Sequence, residues 1–107
     1  MGLSRFDRDA FHSLRTKKAA HATAAVLSEL QYRTPEEQIA GVACAFLLLC
    51  ERYRMPAQDA FAATKQMMNH HDARGGTDFD GIRSYLDADV FGTRSNFPTA
   101  EDILGPL

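Results

Sequence analysis

The longest apolar stretch of the chain runs from residue 39 to residue 50 and contains no charged or amide side chain. Plotted at about 100° per residue, its larger side chains form the stripe that is typical of the core-facing side of a globular helix. This stripe consists of Ile39, Val42, Ala43, Phe46, Leu49, Cys50 and Tyr53. The opposite face also lacks charge and carries Gly41, Cys44, Ala45 and Leu48. A helix that is apolar on all sides must be buried by its neighbours or share one face with another chain.

Four short signatures indicate where helices begin. Each has a serine or threonine followed three residues later by an acid, which is the capping-box pattern or its shorter aspartate variant. They start at Ser4, Thr34, Thr77 and Thr99. Pro56 indicates where the central helix ends, because the residue before a proline is disfavoured in the helical conformation.

These signals predict an all-α fold, a compact bundle of about four helices around a central apolar helix (residues 35–54), in a single domain over residues 1–107. The first helix runs from about Arg5 toward Leu30, either unbroken or with a break near residues 13–16. In the second case, residues 1–18 form a short basic helix or arm. The third helix ends near His70 and the fourth spans about Asp78 to Asp89. Residues 93–107 form an irregular tail that packs on the body or on a partner.

Side-chain spacing assigns an inward face to three of these helices. The faces are Phe6, Ala10 and Leu14, continued by Ala20, Ala24 and Leu27, on the first helix; Ala57, Ala60, Phe61, Thr64, Met67 and Met68 on the third; and Phe79, Ile82, Leu86 and Val90 on the fourth.

The composition indicates which class of protein this sequence encodes. Of the 107 residues, 45% are hydrophobic and 24% are charged, which is the average for globular domains. The net charge of -2 gives no overall electrostatic drive toward nucleic acid or anionic membranes. The apolar run is too short to span a bilayer, and no signal peptide is visible, so a cytoplasmic protein is expected. Cys44 and Cys50 lie too far apart on one helix to form a disulfide, and two buried thiols are expected.

Charge is nevertheless uneven along the chain, because the residues up to Lys18 contain five bases and two acids. Such a basic arm contacts an anionic partner or the acidic body of a second copy. The candidate partner-binding residues are Arg5, Arg8, His12, Arg15 and Lys18. We interpret them as a protein contact, with nucleic acid as the alternative.

The junction between the second and third predicted helices is short enough for a helix-turn-helix. In that alternative interpretation the nucleic-acid contacts are Arg54, Gln58, Lys65 and Gln66. Two features oppose it: the turn lacks the glycine that is common there, and Lys65 is the only base of its helix face and is offset by Asp59.

No arrangement of residues points to catalysis. The run His70-His71-Asp72 lacks companions at metal-ligand spacing, and histidines are favoured at a helix C-terminus because they complement its dipole. No Ser-His-Asp order and no glycine-rich phosphate loop is present. We expect a protein that is not an enzyme and that has no metal and no cofactor.

The block from Thr34 to Phe61 contains Thr-Pro-Glu-Glu-Gln-Ile-Ala-Gly, Ala-Phe-Leu-Leu-Leu-Cys-Glu-Arg-Tyr and Ala-Gln-Asp-Ala-Phe. It resembles the small all-helical accessory proteins of bacteriophages and prophages. That resemblance implies a factor that binds and inhibits or redirects a host protein, such as a defence component. Together with the second apolar face, it leads to the expectation of a protein-binding module that forms a homodimer through Gly41, Cys44, Ala45 and Leu48.

Overall fold

The computed structural model describes residues 6–90 and Leu104. In this part of the chain all regular structure is helical, in five segments. The helices are α1 (Arg8–His12), α2 (Thr16–Glu29), α3 (Pro35–Tyr53), α4 (Ala57–Ala73) and α5 (Asp78–Val90). The predicted all-α bundle is therefore confirmed. Among the described helices, none is both long enough and apolar enough to cross a membrane.

The N-terminal segment is broken between α1 and α2, which confirms the second of the two predicted alternatives. Helix α1 begins where the Asp7 carboxylate accepts hydrogen bonds from the backbone N–H groups of Asp9 and Ala10, at 2.9 and 3.1 Å. The predicted cap, Ser4, lies outside the described residues. The helix ends at Ser13, whose hydroxyl donates to the Asp9 carbonyl at 2.8 Å. A serine that bonds back to its own helix competes with the helical ladder, and this favours the break.

The core is built by α2, α4 and α5, which all pack on one another. Its centre is a cluster of four buried residues, Ala20, Ala24, Phe79 and Ile82. The two alanines are fully buried, and their small side chains bring the α2 backbone close to the aromatic ring of α5. Leu27, Met67, Met68, Leu86 and Leu104 pack around this cluster. The inward faces predicted for α2 and for the described side chains of α5 are correct.

A second cluster closes the junction between α3 and α4. Cys50, Met55 and Ala60 are buried there, and Phe6, Phe11, Phe46 and Ala57 pack against them. The chain reverses at Arg54, which has the left-handed conformation (φ 55°). The Met55 N–H then donates to the Cys50 carbonyl at 2.9 Å, which satisfies a group that the end of α3 would leave unpaired.

Three of the orientations predicted for the first and third helices are wrong. On α1, Ala10 is exposed and Leu14 lies 42% exposed just beyond the helix, while Phe6 and Phe11 face the body. The break after α1 removes the continuous face that an unbroken helix would have shared with α2. On α4, Phe61 is exposed because the inner side of that helix is set by Ala60, Thr64 and the methionines. Helix α4 also extends past His70 to Ala73.

The remaining predictions for the C-terminal end concern residues that the structure does not describe. The tail over residues 93–107 and the helix start at Thr99 lie outside the described residues, with the exception of Leu104, which is half-buried against the core.

We predict that Phe79→Ala lowers the free energy of unfolding by about 3–5 kcal/mol, because it leaves a cavity beside the α2 alanines. The matched control is Phe61→Ala, the same substitution at an exposed ring, which should change stability by less than about 0.5 kcal/mol. Urea unfolding followed by circular dichroism measures both. Equal losses would contradict the orientation of α4 described above.

Candidate interaction surface

The start of α3 is fixed by a complete capping box. The Thr34 hydroxyl accepts from the Glu37 N–H at 3.2 Å, and the Glu37 carboxylate accepts from the Thr34 N–H at 3.0 Å. Pro35 occupies the first helical position, where its missing N–H costs nothing. The Gln38 amide donates to the Leu30 carbonyl at 2.9 Å and ties the helix to the preceding turn. Local sequence therefore determines where α3 begins, as the pattern predicted.

The middle of α3 is exposed, and this overturns the prediction that the helix lies at the centre of the bundle. Leu47, Leu48 and Leu49 are 55%, 62% and 54% exposed, and Ile39 is 75% exposed. Of the stripe predicted to face the core, Cys50 is buried and Phe46 and Tyr53 are half-buried, whereas Ile39, Val42, Ala43 and Leu49 are exposed. Within one copy of the chain, the apolar helix is therefore a peripheral element.

The packing of the other helices explains this exposure. Among the described helices, α4 is the only one that α3 contacts extensively. Helix α2 packs on α4 and α5 instead. The C-terminal half of α3 is held by the second cluster, where the Phe6 ring lies 5.7 Å from the Tyr53 ring. The N-terminal half has no comparable cover. The same side of the helix is thus buried at Cys50 and exposed at Ile39.

The residues predicted for self-association lie together on the side of α3 that faces away from the body. We call this surface, formed by Gly41, Cys44, Ala45 and Leu48, the outer face. All four residues are exposed, so no described helix of the same chain covers them. The expectation of two buried thiols is wrong for Cys44, which is exposed, while Cys50 is buried, and both cysteines are free. Open space surrounds the Cα of Gly41.

Sequence reasoning missed part of this surface. Leu47 belonged to neither predicted stripe, and Ile39, Val42 and Leu49 were assigned to the core. The available signal was the absence of any charge between Gln38 and Cys50, which left no side of the helix marked as its solvent side.

Of the basic partner-binding candidates, Arg8, His12, Arg15 and Lys18 are exposed, and Arg5 lies outside the described residues. The break between α1 and α2 divides them, since two belong to α1, Arg15 precedes α2 and Lys18 lies in its first turn. They do not share one helical face. Within the described part of the chain none of the four forms an ion pair, so the charges of the two arginines and the lysine are available to a partner.

The alternative nucleic-acid residues, Arg54, Gln58, Lys65 and Gln66, are all exposed. Gln58 and Lys65 are seven residues apart and lie on the same side of α4. Arg54 belongs to the turn that ends α3. The structure thus places these side chains where a ligand could reach them, with Lys65 as the one cation of α4 before its final histidines.

The histidine run at the end of α4 takes part in packing between α4 and α5. His71 lies edge-on to Phe79 with 5.8 Å between the rings, and its Nε2 is 3.8 Å from the Asp78 carboxylate. A Cβ atom at Gly76 would overlap the same imidazole. Arg83 donates to Asp72 at 2.9 Å and to Asp80 at 2.5 Å, and these hydrogen bonds raise the pKa of its guanidinium. Among the described residues, no group of three potential ligands could hold a metal ion.

Comparison with known proteins does not place the chain in a family, since no family model, no curated protein and no solved structure matches it.

The capping box predicts a pH dependence. The hydrogen bond from the Thr34 N–H lowers the pKa of Glu37 in the folded protein. Ionised Glu37 therefore stabilises the fold above the pKa of the unfolded state, and this stabilisation is lost as the pH falls through the folded pKa. We predict that Glu37→Gln lowers the melting temperature at neutral pH and that the difference from wild type closes below about pH 4.

Thermal unfolding of both proteins across this pH range provides the measurement. Glu36→Gln, the same change one residue earlier in the first turn, is the matched control and should show the smaller difference at neutral pH. A difference for Glu37→Gln that persists at low pH would show that the box does not depend on the charge.

Proposed function

We propose that this protein is a non-enzymatic protein-binding module that self-associates through α3. The observation that carries the proposal is the exposed, charge-free middle of that helix. Burial of apolar surface is worth roughly 25 cal/mol per Å², so a protein that leaves this surface in water forgoes a favourable contact. Soluble monomers rarely expose large contiguous apolar patches, and such patches mark interaction sites.

The shape of the outer face also supports self-association. Leu48 projects from a surface whose other members, Gly41, Cys44 and Ala45, have small or no side chains. Small residues let a second helix approach closely, and the leucine supplies apolar area to bury. In a symmetric pair both copies present the same surface, so each copy supplies a leucine and also the small residues on which the partner's leucine packs.

A second, heterologous contact is proposed for the basic arm. Arg8, His12, Arg15 and Lys18 are exposed, and the positive charge of the arginines and the lysine suits an acidic protein surface, with an attraction that weakens as salt is added. The resemblance to phage accessory proteins supports a bacterial host protein, such as a defence component, as this partner. In this proposal the protein acts in the cytoplasm and uses α3 to present two copies of the arm.

We predict that Leu48→Glu abolishes self-association, because it replaces the large apolar side chain of the outer face with a charge. Sedimentation velocity at micromolar concentration should show a dimer for the wild-type protein and a monomer for the variant. Val26→Glu is the matched control, since Val26 is a 49% exposed apolar residue of α2. It should leave the dimer intact.

Circular dichroism must show that all three proteins keep their helical content. A wild-type protein that sediments as a folded monomer would remove the self-association proposal. Equal dissociation of both variants would show that the contact is not on the outer face.

DNA binding is the competing function, favoured by the exposure of Gln58 and Lys65 on one side of α4. Because Lys65 is the one lysine or arginine within α4, we predict no measurable affinity for a fluorescent DNA duplex, even at low salt. Fluorescence anisotropy provides the measurement. Binding that falls steeply with added salt and is lost in Lys65→Ala would favour the regulator instead.

A further inference from the structure

We infer that two copies of α3 pair in antiparallel orientation through their outer faces, with the two-fold axis close to Cys44. This inference rests on the proposed self-association and adds the geometry of the contact. It follows from the attachment of α3 to the body, the charges at the two ends of the helix, and the side chains at its midpoint.

The attachment of α3 leaves the outer face free along its whole length. The body holds the helix on the opposite side, through Phe46, Cys50 and Tyr53. A second copy that approaches the outer face therefore meets no other described helix of this chain. With 19 residues, α3 presents an edge about 28 Å long.

The charges at the two ends of α3 set the orientation. The first turn contains Glu36 and Glu37, and Arg33 lies 4.0 Å from the Glu37 carboxylate, so this end carries a net charge of 2 acids − 1 base, or −1. At the other end Arg52 and Arg54 outweigh Glu51, which gives 2 bases − 1 acid, or +1. Antiparallel pairing brings each acidic end beside a basic end. Parallel pairing would place like charges together at both ends, and the antiparallel arrangement also aligns the helix dipoles favourably.

The midpoint of α3 falls at Cys44, halfway between Pro35 and Tyr53. Gly41, Cys44 and Ala45 surround this point and let the two backbones approach to the 8–10 Å that is typical of packed helices. Leu48 supplies most of the apolar area of the outer face, since Leu47 and Leu49 point about 100° to either side of it. A contact through one face of a single helix lies at or below the roughly 1,200 Å² lower end of specific interfaces, which suits a weak dimer.

Cross-linking of the native thiol tests the position of the axis. In a Cys50→Ala background, a short bismaleimide should join Cys44 of one copy to Cys44 of the other, since each maleimide adds to one thiol. The Cys44→Ser protein should give no covalent dimer, because Cys50 is buried. The Leu48→Glu variant keeps Cys44 and controls for random collisions, so it should also remain uncross-linked.

Spin labels at the ends of the helix test the orientation. We would label Glu36→Cys in a Cys44→Ser, Cys50→Ala background and measure the distance between the two labels by pulsed electron paramagnetic resonance. Residue 36 lies eight residues from the axis, so antiparallel pairing separates the labelled positions by about 24 Å along the helices. In a mixture with labelled Arg52→Cys protein, the mixed dimer should add a markedly shorter distance.

The outcomes separate the two proposals. A dimer in sedimentation with a short distance between labels at residue 36 would establish parallel pairing and overturn this inference alone. A dimer with no cross-link at Cys44 would place the axis elsewhere and also overturn it. A monomeric wild-type protein would overturn both the inference and the self-association on which it rests.

Discussion

The contact between the end of α3 and the start of α4 is the constraint on which the rest of the structure depends. The left-handed turn at Arg54 and the buried side chain of Met55 hold the C-terminal half of α3 against α4. Because α4 also packs on α2 and α5, it is the helix through which α3 joins the core. Among the described helices, α4 is the only one with which α3 makes an extensive contact. The middle of α3 is exposed because this single contact covers only one side of the helix, near its C-terminal end.

The core and the exposed apolar surface are therefore formed by different helices. The cluster around Ala20, Ala24, Phe79 and Ile82 provides a core without α3. The ion pair between Arg83 and Asp72 and the edge-on contact of His71 with Phe79 hold α4 and α5 together near that core. Because surface ion pairs contribute little stability, most of this cohesion comes from apolar burial. The apolar residues of α3 that the core does not use are then available for an interface.

The same geometry connects the proposed dimer to the proposed partner contact. Phe6 and Phe11 pack on the cluster that anchors α3, so the basic residues of α1 lie on a segment that is fixed relative to the outer face. In a two-fold pair, two such segments are displayed together. When one segment binds a partner with two acidic sites, the other segment is held close to the second site, and this raises the apparent affinity.

The sequence by itself determined where α3 begins, because Thr34 and Pro35 act on groups only a few residues away, and it placed the start of α5 correctly at Asp78. It also determined which sides of α2 and α5 face the core, because apolar residues recur at helical spacing on one side of each helix. It left open whether the first helix breaks, and it placed Phe61 and Ile39 in the interior. For α3 the pattern contained no polar side, so periodicity could not distinguish a buried face from an exposed one. Only the tertiary structure decided that question, because the burial of α3 depends on where α2, α4 and α5 lie, and those positions follow from long-range packing rather than from the residues of α3 itself.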